Sequence, residues 1–201
     1  MNTSQLTIAL VAGETSGDQL GAALVDELRK RFPNARFVGV AGEKMKAAGV
    51  EPWFDSQELA VMGLFEVVRH LPRLLRLRGE LLRRLLELKP DGFVGIDAPD
   101  FNLGLEIKLR RAGIPTAHYV SPTVWAWREK RVRKIARATD RVLCLFPFEP
   151  DFYAGHGVEA TYVGHPLADQ IDADTNPAAA RTRLGLDPAR SAIALLPGSR
   201  E

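Results

Sequence analysis

The densest group of side chains able to do chemistry lies in Gly92-Phe93-Val94-Gly95-Ile96-Asp97-Ala98-Pro99-Asp100-Phe101-Asn102. A short apolar run ends abruptly in an acid, passes through Ala-Pro and meets a second acid. In an open α/β sheet, ligands sit at the carboxyl ends of the strands. A carboxylate placed there cannot enter the core without a large desolvation cost, so it faces the crevice. Asp97 is therefore the first candidate for chemistry, with Asp100 and Asn102 beside it. The same position equally suits an aspartate that only caps the following helix.

A second group follows the first apolar run: Gly13-Glu14-Thr15-Ser16-Gly17-Asp18-Gln19-Leu20-Gly21. A glycine-rich turn between strand and helix lets backbone approach a ligand closely. The glycines stand four apart, which is neither G-x-G-x-x-G nor a phosphate loop ending in lysine. Glu14 and Asp18 would repel a phosphate. Acids and hydroxyls in such a turn suit a hydroxyl-rich ligand such as a sugar. The plain alternative is a tight turn with Thr15 or Ser16 as helix cap.

A third group is His118-Tyr119-Val120-Ser121-Pro122-Thr123-Val124-Trp125-Ala126-Trp127-Arg128. Ser121 lacks the G-x-S-x-G elbow of a hydrolase. Trp125 and Trp127 suit stacking on a sugar or lining an acyl groove, and equally suit core packing. Cys144 is the single cysteine and lies in Val142-Leu143-Cys144-Leu145, so it reads as a buried strand thiol. Asp172-Ala173-Asp174 resembles a metal-binding Asp-x-Asp but has no third ligand nearby and reads as solvated loop. Four histidines without ligand spacing imply no metal site.

The elements that must position these groups alternate. Strand-like runs fall near 6–12, 36–41, 92–96, 116–120, 141–145, 160–163 and 191–196. Helical patterns occupy 17–32, 63–71, 73–89, 101–112, 128–138, 148–155 and 177–184. Such alternation predicts an α/β fold, a Rossmann-like parallel sheet with helices on both faces. Runs such as Ile8-Ala9-Leu10-Val11 are apolar on both sides, as a doubly covered sheet requires. The expected organisation is one domain over 1–170, a polar linker with one helix over 171–190, and the opening of a second α/β domain over 191–201.

With 201 residues, 46% of them hydrophobic and 26% charged, the chain has the composition of a globular protein with a sizeable core. A net charge of +2 is too small to imply nucleic acid. No run approaches the ~18 apolar residues of a spanning helix, and no secretory leader is evident, which points to the cytoplasm. One segment is unusual. Residues 59–71 are apolar around most of a helical wheel, and the helix after Pro72 carries Arg73, Arg76, Arg78, Arg83, Arg84 and Lys89. An apolar helix beside a basic one suits an anionic membrane surface. A crossover helix packed on the sheet explains 73–89 taken alone.

Taken together, Val11-Ala12-Gly13-Glu14-Thr15-Ser16-Gly17-Asp18, Glu58-Leu59-Ala60-Val61-Met62-Gly63, the stretch from Phe93 to Asn102, the stretch from His118 to Arg128, and Leu195-Leu196-Pro197-Gly198-Ser199-Arg200 closely resemble the lipid-A-disaccharide synthase family. The resemblance runs in order along the chain. It implies the N-terminal half of a GT-B glycosyltransferase with an inverting, metal-independent mechanism and no cofactor. The implied reaction joins UDP-2,3-diacylglucosamine to 2,3-diacylglucosamine 1-phosphate, giving a β-1,6 disaccharide and UDP. Asp97 falls on the family's essential aspartate, the general base on the acceptor 6-hydroxyl. The acceptor side is expected to draw on Glu14, Ser16, Gly17, Asp18, Asp100, Asn102, Ser121 and Trp125. Gly198, Ser199 and Arg200 are expected to serve the donor. Val61, Met62, Leu64, Phe65 and Val68 are expected to touch membrane or acyl chains. The resemblance also implies peripheral attachment to the inner membrane of a Gram-negative bacterium and leaves a homo-oligomer open. The competing reading is a catalytically incomplete fragment that only binds an acylated sugar phosphate or a membrane.

Overall fold

The computed structural model describes residues 5–59, 64–123, 131–171, 174, 176–187 and 189–196, with side chains within 64–70 outside that description. It divides into two compact units, Met1–Pro166 and Leu167–Glu201. The first unit is built on seven parallel strands: β1 (Thr7–Ala12), β2 (Arg36–Ala41), β3 (Glu51–Asp55), β4 (Gly92–Ile96), β5 (Thr116–Tyr119), β6 (Arg141–Cys144) and β7 (Ala160–Tyr162). Between them run α1 (Thr15–Arg31), α2 (Glu43–Ala47), α3 (Leu64–Leu88), α4 (Pro99–Arg111), α5 (Val132–Ala138) and α6 (Glu149–Ala154). Two further helices follow β7, α7 (Pro166–Gln170) and α8 (Pro177–Arg183).

The spatial order is β3-β2-β1-β4-β5-β6-β7. The sheet grows outward from β1 to β3, then returns to β1's other side and grows through β4 to β7. Strand pleating sends alternate side chains to opposite faces. On one face Leu10, Ala12, Phe37 and Ala41 pack against Leu20 and Val25 of α1 and Met45 of α2. On the other, Ala9, Val11, Val38 and Val40 pack against Leu81 and Leu85 of α3 and Leu105 and Leu109 of α4. A third cluster seats α5 and α6 beside β6 through Ile135, Val142, Cys144 and Tyr153.

Several expectations are corrected. Residues 51–55 form a strand that the pattern Glu-Pro-Trp-Phe-Asp concealed. It is an edge strand, the one sheet position where proline costs no ladder bond. Residues 63–71 and 73–89 are not two helices split at Pro72: α3 runs through that proline. Proline removes one donor, while the buried stripe Leu77, Leu81 and Leu85 holds the helix to the sheet. Residues 191–196 carry no strand, and Ile193, Leu195 and Leu196 are each at least 87% exposed. A strand exists only by pairing, and the second unit holds no described strand to pair with. In the second unit, α8 starts as expected at Pro177, with Asn176 Oδ1 accepting from the backbone N–H of Ala178 and Ala179.

Burial pushes the Cys144 thiol up to about 12, with the Glu149 carboxylate adding to the effect. The folded protein is therefore expected to resist a thiol reagent such as DTNB at pH 8 and to react once unfolded in guanidinium. Rapid labelling of the native chain would show that the core around β6 opens.

Candidate functional site

The reversal of strand order beside β1 leaves a crevice at the carboxyl ends of β1 and β4, where no crossover covers the sheet. Ala12 and Ile96 are in register, so Gly13 and Asp97 leave the sheet side by side. Their approach is close. A Cβ on Gly13 would stand 3.0 Å from the Ala98 Cβ. Glycine is what lets the two turns meet.

The turn after β4 is strained. Asp97 (φ 50°) and Ala98 (φ 42°) are both left-handed, and Val120 after β5 has φ 77°. Aspartate tolerates this region, whereas for alanine it costs roughly 1–2 kcal/mol. A β-branched residue there is a genuine outlier. Asn102 holds the turn in place. Its Nδ2 donates to the Asp97 carbonyl at 2.9 Å and to those of Val11 and Ile96 at 3.3 Å each. The Asp97 N–H in turn donates to the Tyr119 carbonyl at 2.8 Å.

Below this turn lies a buried polar cluster. His118 Nδ1 and Glu106 Oε1 are 2.7 Å apart, both side chains fully buried. Glu106 fits because β4 has Gly95 opposite it: a Cβ there would come within 2.1 Å of Glu106 Oε1. Asn102 and Glu106 are one helical turn apart on the same face of α4.

Above the turn is a cavity of about 410 Å³. Its polar lining is Glu14, Asp97, Asp100 and Arg78, and its apolar wall is Leu59, Leu71, Leu74, Leu75 and Phe101. That size lies within the roughly 300–1,000 Å³ usual for small-molecule sites. The capping residue of α4 is Ala98, and the helix start has no side-chain cap. Asp97 is therefore not a helix cap. Among the described residues its carboxylate makes no hydrogen bond or ion pair, and it lines the cavity.

Other expected site residues fare differently. Glu14 lines the cavity and stands at the start of α1 without capping it through its side chain. Ser16 is exposed in the first turn of α1. Gly17 is buried against Ile96 and Ala12, where it brings α1 onto the sheet. Asp18 is 4% exposed, and its carboxylate accepts from the backbone N–H of Gly42 (2.8 Å), Lys44 (2.9 Å) and Met45 (3.1 Å). It anchors the start of α2 rather than facing a ligand. Asn102 is fully buried and acts on the turn, not in the cavity. Ser121 is buried with its Oγ 3.0 Å from the Tyr153 hydroxyl. Asp100 is exposed and ion-paired with Arg131. Trp125, Gly198, Ser199, Arg200, Val61 and Met62 lie outside the described residues, as do the side chains of Leu64, Phe65 and Val68.

Sequence reasoning missed the wall. Leu71, Leu74, Leu75 and Arg78 follow the spacing i, i+3, i+4, i+7, one face of a helix. That spacing was visible, but the proline broke the pattern into two segments. Among the described residues there is no cluster of three or more metal-ligating side chains. No described helix is long and apolar enough to cross a membrane.

A crystal structure of UDP-N-acetylglucosamine 2-epimerase matches this fold with a TM-score of 0.53 at 15% identity, covering 89% of this chain and 55% of that one. With the sheet order and the switch-point crevice, this defines the Rossmann-like half of a GT-B-type α/β protein. A family model described as Lipid-A-disaccharide synthetase matches residues 8–201. The lipid-A-disaccharide synthase of Xanthomonas axonopodis pv. citri (strain 306) is 60% identical over 193 residues, 96% of this chain and 44% of that protein. The lipid-A-disaccharide synthase of Sodalis glossinidius (strain morsitans) is 58% identical over 201 residues, 100% of this chain and 53% of that protein. The chain belongs to the lipid-A-disaccharide synthase family. It spans about half the length of the curated relatives it matches.

Replacing Asn102 by alanine removes the donor shared by three carbonyls in a buried site. The expected loss is about 1–3 kcal/mol in a urea unfolding titration. An unchanged midpoint would mean that the turn holds its strained shape without the amide.

Proposed function

We propose that this chain forms the acceptor side of a glycosyltransferase that joins UDP-2,3-diacylglucosamine to 2,3-diacylglucosamine 1-phosphate. The observation that carries the reading is a carboxylate without a partner among the described residues, Asp97, lining a cavity with a leucine wall. Family membership supplies the reaction class, and the cavity supplies chemistry that suits it.

In this reading the acceptor 6-hydroxyl lies against Asp97. The carboxylate takes the hydroxyl proton as the oxygen attacks the anomeric carbon of the donor. The bond from that carbon to the diphosphate breaks, and UDP leaves with the electron pair. One attack from the face opposite the leaving group inverts the anomeric centre and gives the β-1,6 linkage. Glu14 and Asp100 accept hydrogen bonds from other sugar hydroxyls. Ser16 lies close enough in sequence to Glu14 to extend that set. Gly198, Ser199 and Arg200 are assigned to the donor by family resemblance alone.

The acyl chains lie along Leu71, Leu74 and Leu75. Leu71 is 46% and Leu75 48% exposed, so the wall opens to the surroundings rather than closing over a small polar ligand. Val61, Met62, Leu64, Phe65 and Val68 are assigned to membrane or acyl contact from their apolar sequence and family resemblance, which would set the protein peripherally on the inner-membrane surface.

Asp97→Asn is the decisive variant. Asparagine also tolerates the left-handed backbone at this position, so the fold is kept while the base is lost. In an enzyme carrying these residues at the full family length, kcat is expected to fall about 100- to 10,000-fold with little change in thermal stability. Near-normal turnover would remove Asp97 from the mechanism. The same assay on the 201-residue chain separates transfer from binding alone.

A further inference from the structure

Among the described residues that line the cavity, Arg78 is the one basic side chain. Three other arginines of α3 are engaged, Arg73 with Glu58, Arg83 with Glu87 and Arg84 with Glu80, while Arg76 is exposed and does not line the cavity. Among the described residues, Arg78 makes no hydrogen bond or ion pair, although carboxylates line the same cavity. The Asp100 carboxylate is instead taken by Arg131. The guanidinium lies against α4 at Gly104, where a Cβ would stand 3.1 Å from Arg78 Nη1. Glycine inside a helix weakens it. Here the missing side chain leaves the guanidinium room between the two helices.

This half-buried guanidinium has five donors and no acceptor among the described residues, and it is the charged lining group that favours an anion brought by a ligand, which the carboxylates of Glu14, Asp97 and Asp100 would repel. Its place on the helix narrows the choice. Leu74 and Leu75 lie one turn before Arg78 on the same face, about 5 Å along the axis. In the acceptor reading the anion belongs to a molecule that also presents apolar chains to the leucines and a hydroxyl to Asp97.

We propose that Arg78 recognises the phosphomonoester of the acylated sugar acceptor and makes this site selective for the phosphorylated sugar. The inference rests on the reading of the cavity as the acceptor site. Arg78 fixes the phosphate end of the sugar, the leucines take the acyl end, and the hydroxyl to be glycosylated is left at Asp97. Planar, two-pronged contact with phosphate oxygens is what distinguishes arginine from lysine at such a position.

The test is binding to the 201-residue chain of two probes in detergent micelles: 2,3-diacylglucosamine 1-phosphate and the same lipid without its phosphate. The wild-type chain is expected to prefer the phosphorylated probe by about 10- to 100-fold. Arg78→Met keeps the apolar stem and removes the charge. It is expected to abolish the preference while leaving the affinity for the unphosphorylated probe unchanged. Arg78→Lys should restore part of the preference. Equal affinity of the wild-type chain for the two probes would overturn the role of Arg78 and leave the acceptor reading standing. Equal weakening of both probes by Arg78→Met would show a packing role only and also overturn it. Binding of phosphatidate as tight as that of the sugar phosphate, with the same dependence on Arg78, would reassign the arginine to lipid headgroups in general. Failure of the folded wild-type chain to bind either probe would overturn the acceptor reading, and this inference with it.

Discussion

Parallel strands need a crossover at each step, and right-handed crossovers decide which face each helix covers. In this chain the sheet runs outward from β1 and then restarts on its other side at β4. Crossovers made before and after that reversal lie on opposite faces: α1 and α2 on one, α3 and α4 on the other. The turns leaving β1 and β4 consequently part to either side and leave open ground between them. Glu14 comes from one turn and Asp97 from the other. The long helix α3 also follows from this topology. It must carry the chain from the edge strand β3 back to the centre of the sheet, and it begins at the carboxyl edge because it follows β3. Its early turns therefore stand at the rim of the crevice, where Leu71 to Arg78 form the wall.

Holding an acid in that gap takes a turn that backbone sterics oppose. Two successive left-handed residues, one of them alanine, and a left-handed valine just after the neighbouring strand all sit at the same end of the sheet. Strained backbone persists only where its surroundings over-determine it. The over-determination is visible here: one amide gathers three carbonyls from two strands and the turn itself, and Pro99 starts α4 immediately after. Beneath it the His118–Glu106 pair fills space that Gly95 vacates, in a region where each polar atom is costly to leave alone. Apolar packing would be the cheaper way to fill that volume. The presence of polar groups there fits a device that fixes geometry rather than one that maximises stability.

Much of this was legible in the chain, and the parts that were not have physical causes. Central strands, buried on both faces, show as apolar runs, and the point where such a run meets an acid marks Asp97 without any structure. Edge strand β3 is half solvated and carries Pro52, so its pattern is weak for the same reason that it is an edge. Asp18 looked like a ligand-facing acid because its partners, the N–H groups of Gly42, Lys44 and Met45, lie 24 to 27 residues away. Local sequence cannot show a contact of that range. His118 was visible as a residue but not as a pair, since Glu106 stands on a different element. Arg78 and its leucines carried a helical spacing that could be read, but Pro72 suggested a break that tertiary packing overrides.

The combination of groups in the cavity is itself selective. Apolar walls around an acid raise the strength of any polar contact made there by excluding water. They also make a small hydrophilic sugar a poor occupant, because it would leave the leucines facing solvent and gain nothing from their burial. An amphiphile gains on both counts. The two kinds of recognition also come from elements of different rigidity. The acid is fixed by central strands and by a turn tied at three carbonyls. The leucines stand on a helix whose buried positions, among the described side chains, begin at Leu77, and their own side chains are partly open. Under the proposed acceptor reading, an acid held firmly where a proton would move and a more open wall that need only cover chains of carbon together suit an acylated substrate.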